Sequence, residues 1–483
     1  MEAVINYLVK YKGLFYYIIV LTAVVLFLLY GIHKGACVTT SSQNISGNTD
    51  TYALTLGGSS NDAAYSISST TDGGFIVGGY TWSFGYGNKD MMVIKMSKSN
   101  SIDWQYTYGG ADNDSVQSIK QTSDGGYVVA GYTKSLGAGC YDMWILKLDS
   151  AGTPTWQNTY GGHGTCYNVI GCSNSGAGIS GIEYAKSIEQ TSDGGYIVLG
   201  YTGTFGAGSD DIWVLKLNSD GTIKWQKTYG TTEVENSYSI KQISDGGYII
   251  AGNRISVCDL TADILFIRLD ADGNVIWAKT YGNGNQSFTF SAIESIYGGY
   301  IVAGYTNAFG TGDEDVWVLK LDPTGAIEWQ KTYGGTGNDF AYSILQTTDG
   351  GYLVAGSTNS FGSGAYDVWA LKLFSNGEIQ WQNAHGGPGD DFASSYSIAQ
   401  TSYGGYLLAG NTDSYGAGGS DFWVVKVAPD GSSGSFTTRT QALSANTYIT
   451  GKDIVLMSLN TGVTPTPTNV SPVKISVIMG IQN

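Results

Sequence analysis

A Gly-Gly pair recurs along this chain at a nearly fixed interval, and no other feature restricts the fold as much. Its first glycine stands at Gly73, Gly125, Gly194, Gly246, Gly298, Gly350 and Gly404, in steps of 52, 69, 52, 52, 52 and 54 residues. An aspartate opening a D-x-W-like segment follows the same steps: Asp90, Asp142, Asp211, Asp263, Asp315, Asp367 and Asp421. Two markers sharing one outlier mean seven copies of one unit, with a single insertion of 17 residues between the second and third. Each copy holds four short segments, such as Y-I-V-A-G-Y and D-I-W-V-L-K-L, separated by turn signals of the S-D-G-G and N-S-D-G type. Four strands in about 50 residues is the size of a propeller blade. The expected fold class is all-β, a seven-bladed β-propeller of four-stranded blades.

The composition fits that reading. With 70 Gly, 35 Tyr, 12 Trp and only 13% charged residues, the chain favours aromatic strands and tight turns over helices. The second strand of each copy is apolar almost throughout, as in Tyr248-Ile249-Ile250-Ala251, which suits a strand buried on both faces. Tryptophans such as Trp213, Trp225, Trp317 and Trp329 are expected to pack between blades rather than to form a ligand platform. The seventh copy lacks its fourth strand, ending instead in PDGSSGSFTTRT. Residues Tyr52 to Asp62 align without a gap on Trp329 to Asp339, so the N-terminal strand is expected to complete the last blade and close the ring.

The repeats D-G-G-Y-I-V-A-G-Y-T, D-x-W-x-L-K-L-D and W-Q-K-T-Y-G-G resemble the SBBP-type β-propeller repeats of archaeal and bacterial secreted and surface proteins, over residues 51–430. The resemblance implies the propeller fold and an extracytoplasmic setting. That family has no common catalytic residues to carry over, so function has to come from a site.

Outside the repeats, residues 14–32 form one uncharged apolar run, LFYYIIVLTAVVLFLLYGI, long enough to cross a bilayer. Lys10 and Lys12 precede it, which predicts a cytoplasmic N-terminus over 1–13, a transmembrane helix or signal-anchor over 14–32, and an exported remainder. Residues 33–50 read as a polar stalk. Residues 431–483 read as a tail whose stretches Asp453 to Leu459 and Val473 to Ile478 form strands, either as an added hairpin or offered to a neighbour. The formal charge of −16, with no basic cluster, argues against nucleic acid as a partner.

Site candidates fall into three groups. Asp62, Asp114, Glu183, Glu235, Asp339 and Asp391 recur just ahead of the first strand of six copies and could ring the channel mouth, where a hard cation such as calcium would suit them. The competing reading is that each bonds local turn amides. Cys166 and Cys172, six apart in the insertion, are the expected disulfide. Departures from the repeat mark a partner surface: Cys140, His163 and Tyr167 around the insertion, and Arg254 and Cys258 in a variant loop, all on one face.

Only three histidines are present, and no G-x-S-x-G, H-E-x-x-H or phosphate-loop motif occurs, so no enzyme and no cofactor is expected. The functional expectation is a membrane-anchored surface module that binds protein or glycan through its loops. The alternatives are a self-assembling subunit of a surface layer, filament or archaeal virion membrane, and a propeller glycosidase or lyase acting through top-face carboxylates.

Overall fold

The computed structural model describes residues 51–163, 181–207 and 209–433, together with the backbone of seven short strands between 437 and 482. Seven antiparallel sheets form, one per repeat, each with strands A to D in sequence order from the axis outward. Blade one comprises Asp62–Ser69, Phe75–Thr81, Asp90–Met96 and Ile102–Tyr108, and blade six ends with Ile379–His385. The D-to-A and B-to-C loops lie on one face, here the top. The A-to-B and C-to-D turns lie on the bottom.

The A-to-B turns show why the Gly-Gly pair recurs. Its first residue adopts a left-handed conformation, φ 84° at Gly73 and 82° at Gly125, which a side chain would strain. Seven apolar clusters fill the spaces between neighbouring blades. One of them joins Val128, Met143 and Tyr160 of blade two to Ile188, Val198 and Trp213 of blade three. The hydrophobic core is therefore a ring of interblade layers, and the strand-C tryptophans are fully buried in it, as at Trp144, Trp213 and Trp317.

Closure follows the sequence expectation. Tyr52–Gly57 pairs with Asp421–Val427 in the register Tyr52↔Lys426 to Leu56↔Phe422, completing blade seven with a strand from the other end of the chain.

The tail departs from expectation. It forms neither an added hairpin nor a strand left for a neighbour. It circles the disc and adds a fifth, antiparallel strand to every blade. Thr437–Arg439 pairs with blade six and Leu443–Asn446 with blade five. Lys452–Asp453, Met457–Asn460, Thr466–Pro467 and Val473–Lys474 then take blades four, three, two and one. Ile478–Gln482 ends the circuit on Tyr52–Gly57 of blade seven. All seven outer edges, which would otherwise expose unpaired amides and carbonyls, are partly covered by the chain itself.

The apolar run 14–32 lies outside the described residues. Among the described residues no helix is long and apolar enough to cross a membrane.

Candidate functional site: the axial cavity

Strand A lines the central channel, and its register slips once in each blade. In blades one to six the slip falls between Ala64 and Ser66, Val116 and Ser118, Ala185 and Ser187, Ser237 and Ser239, Thr289 and Ser291, and Ala341 and Ser343. A bulge leaves one residue without a ladder partner and re-aims its side chain. These bulged residues, Tyr65, Gln117, Lys186, Tyr238, Phe290 and Tyr342, line one cavity of about 360 Å³ on the axis. Blade seven contributes Phe392, Ala393, Ser394 and Asn411.

The cavity has two unlike walls. On one side Tyr238 and Phe290 stand with ring centroids 4.5 Å apart, and Phe290 and Tyr342 5.2 Å apart. A wider collar of Tyr305, Phe340, Tyr366 and Phe392 backs them, with neighbouring rings 4.8 to 6.1 Å apart. On the other side the Lys186 ammonium donates to Gln117 Oε1 at 3.3 Å and lies 5.7 Å from the rings of both Tyr184 and Tyr201. Lys89 sits above, 3.8 Å from the Tyr80 ring centroid and donating to the Tyr132 hydroxyl at 3.0 Å. Burial lowers both amines to about 8, with their mutual repulsion adding to the effect on Lys186.

Three residues further along the same strands, Lys120, Glu189 and Lys241 form a charged floor. Lys241 bonds Glu189 directly, and Lys120 stands 4.0 Å from the same carboxylate oxygen. A ligand entering here would meet apolar ring faces on one side and an amide, a hydroxyl and an ammonium on the other, which is the usual make-up of a small-ligand site.

The acidic residues expected at the channel mouth are elsewhere. Each stands at the start of strand A, as its first or second residue, and is fully buried at a blade junction. Asp62 accepts from Gly58 N–H and Ser83 Oγ–H, both at 2.8 Å, and Asp114 accepts likewise from Gly110 and Ser135. Asp339 and Asp391 repeat the pattern on Gly335 with Ser360 and on Gly387 with Ser414. Glu183 accepts from Gly162 N–H and Thr202 Oγ–H, and Glu235 from Thr231 N–H. The geometry is that of the local turn-bonding reading. Among the described residues no three acidic, histidine or cysteine side chains gather to hold a metal ion.

The partner-surface candidates are only partly brought together. The Cys140 N–H bonds Gly181 O at 2.9 Å, fixing that loop to the far end of the insertion, and His163 is exposed at its near end. Tyr167, Cys166 and Cys172 lie outside the described residues. Cys140 is itself half of a disulfide, which sequence reading did not foresee. The variant loop proves to be an extended hairpin: strands Tyr248–Ser256 and Thr261–Leu269 run two residues past those of other blades. Arg254 is thereby a strand residue, paired to Glu233 Oε2 at 2.7 Å, while Cys258 is an exposed thiol at the hairpin tip. His385 is buried, with Nδ1 2.9 Å from Ser433 Oγ. Its place is that of the strand-D tyrosines of other blades, whose hydroxyls bond the next blade's turn, as Tyr160 does to Gly221 O at 2.6 Å.

Sequence reading missed the axial residues because it assigned the aromatics to the core. A signal was present. The position three after the acid, or after Ser287 in blade five, varies through Tyr65, Gln117, Lys186, Tyr238, Phe290 and Tyr342, while its flanking positions stay small or apolar.

Fold and cavity together define a seven-bladed propeller with an axial cavity. No protein-family model and no curated protein matches the chain. Among solved structures, Chaetomium thermophilum Sqt1 is similar at 9% identity and a TM-score of 0.41, over 78% of this chain and 98% of that one. The same protein bound to the N-terminus of the ribosomal protein L10 gives 10% and 0.41, over 77% and 98%. A putative exo-beta-1,3-galactanase from Bifidobacterium bifidum s17 gives 11% and 0.29, over 68% and 90%. Likenesses at this level say nothing of what this chain binds.

Proposed function

We propose that this protein is a membrane-anchored, extracytoplasmic binding module that captures a glycan or a protein chain end in its axial cavity. The observation that carries the reading is that all seven blades contribute to one cavity whose lining is not repeated from blade to blade: an aromatic wall faces Lys186 and Gln117. A structural axis needs no such asymmetry. The volume, about 360 Å³, is near the lower end of ligand sites, which fits one or two sugar rings or a few side chains rather than a folded surface.

The reading is non-enzymatic, and it is supported by the burial at blade junctions of the six recurring acids Asp62, Asp114, Glu183, Glu235, Asp339 and Asp391. Assembly into a layer or virion by strand donation from the tail finds no support, since the tail strands pair within the chain.

A glycan and peptide array probed with the full-length protein and with Lys186→Met and Phe290→Ala tests the proposal. Retained ligands that both substitutions abolish would uphold it. Ligands indifferent to both would refute it.

A further inference from the structure

The junctions between blades on the bottom face are built to one plan, and the junction of blade seven with blade one breaks it at three positions, while blade seven alone has no acid at either place that pairs the strand-C cation elsewhere. In the plan, the last residue of strand A reaches back to the preceding blade's A-to-B turn. Thr71 N–H donates to Gln121 Oε1, Ser123 to Gln190, Ser192 to Gln242 and Ser244 to Glu294, each at 2.8 Å, and Ile296 to Gln346 at 2.9 Å. At the closing junction the glutamine is replaced by the exposed Ser69, too short to span to the turn at Ser402.

The strand-D tryptophan also follows the plan, lying on the next blade's C-to-D turn. Trp156 Nε1–H donates to Ser219 O at 3.0 Å, and its ring would stand 2.9 Å from a Cβ added at Gly221. At the closing junction Tyr52 takes the tryptophan's place opposite Lys426, and the turn residue is Asn100 with φ 63°. The smaller ring leaves room for a side chain there.

The strand-C cation completes the plan. Lys95, Lys147, Lys216, Arg268, Lys320 and Lys372 are buried and paired with Asp72, Asp124, Asp193, Asp245, Glu328 and Asp349. Blade five, which has Tyr297 in place of the turn aspartate, pairs its cation with Glu328 of strand D; blade seven has Tyr403 at the turn and Thr51 at the strand-D position, and Lys426 makes no ion pair among the described residues. Its ammonium lies 5.5 Å from the Tyr52 ring, and that of Lys98 lies 4.6 Å from the Tyr403 ring.

These substitutions open a groove of about 780 Å³ lined by Tyr52, Ser69, Lys98, Asn100, Tyr403 and Lys426. In a chain of net charge −16 it holds two ammonium groups without acids, beside hydroxyls and a tyrosine ring that is 62% exposed. A half-buried cation without a counter-charge is costly, and a bound anion offsets that cost through charge-assisted hydrogen bonds. We infer that the groove between blades seven and one is a second ligand site, which takes a polyhydroxylated anion: a sugar or polyol bearing a carboxylate or phosphate. The charge sits at Lys98 and Lys426 and the ring lies against Tyr403. Such an anion has two sources, a free acidic sugar or a lipid headgroup.

Calorimetric titration of the full-length protein with glucuronate, glucose 6-phosphate, glycerophosphoinositol and neutral glucose tests this. Binding of a charged probe but not of glucose is expected, and preference for glycerophosphoinositol over both sugars assigns the headgroup as the source. Ser69→Gln installs the strand-A residue of five of the other blades and Tyr403→Asp the turn aspartate of five of them, so both should fold as well as the parent. Tyr403→Asp should weaken binding at least tenfold with Tm unchanged or raised. No binding of any charged probe, or binding equal in Tyr403→Asp and the parent, would overturn the inference.

Discussion

Asp90 and Asp114 face each other across Gly109, where an added Cβ would stand 1.9 Å from Asp90 Oδ1 and 2.9 Å from Asp114 Oδ2. The pairing of a strand-C aspartate with the next blade's strand-A acid recurs around the ring, as with Asp421 and Asp62 flanking Gly57. Burial, reinforced by the facing carboxylate, raises Asp90 to about 6 and Asp421 to about 7. Glu183 is raised to about 7 by burial and by Asp142.

A folded-state value above the unfolded one means that the folded state binds the extra proton between pH 4 and 7. Stability therefore falls as pH rises through that window. His385 acts oppositely: burial lowers it to about 3, so its contribution grows with pH from 3 to 6.5. The carboxylates outnumber it, and the disc should melt several degrees higher at pH 5 than at pH 7.5. A higher Tm at pH 7.5 would contradict this account of the junctions.

Asp421→Asn isolates one pair. Asp421 Oδ2 accepts from Ala417 N–H at 2.8 Å, which an amide oxygen can also do, while buried Oδ1 has no hydrogen-bond partner. Thermal melts should show the variant more stable than the parent at pH 7.5, by about 1 kcal/mol, with the difference vanishing near pH 4.

Closure gives a third prediction. Tyr52–Gly57 is hydrogen-bonded on both sides, to Asp421–Val427 and to Ile478–Gln482. Removing residues 1–58 opens blade seven and should lower Tm by ten degrees or more. An unchanged Tm would show that the ring does not need this strand.

The belt should matter for solubility as well as stability. Truncation after residue 433 bares the outer strands of all seven blades. Light scattering should show self-association of the truncated disc at concentrations where the full chain stays dispersed.

The disulfide can be settled by mapping peptides without reduction. Of the five cysteines Cys258 is a thiol and Cys140 is bonded, which leaves Cys37, Cys166 and Cys172 as partners. The Cys140 N–H is tied to Gly181, the residue just after the insertion, so linkage to Cys166 or Cys172 is expected in place of a Cys166–Cys172 bridge.

The repeat made the disc legible, because each copy carries its own turn glycines and apolar strand and because Tyr52 to Asp62 aligns on Trp329 to Asp339. The belt was not legible. Its strands are two to five residues long and include Pro467, and they owe their form to edges supplied by distant repeats. The acids at Asp62 and its counterparts show as a pattern in sequence, yet whether they face the axis or a turn depends on where strand A begins. The axial residues were hidden by a bulge, since at a regular register Phe290 would read as one more core aromatic.

The central claim is that the axis binds ligand through Phe290, Tyr238 and Lys186. The most direct measurement is the affinity of an array-selected ligand for the parent protein, for Phe290→Ala and for Trp82→Ala, an exposed aromatic of the blade-one B-to-C loop. The account predicts at least a tenfold loss for Phe290→Ala with Tm held within a few degrees, and no change for Trp82→Ala. Equal affinity in Phe290→Ala and the parent would contradict it.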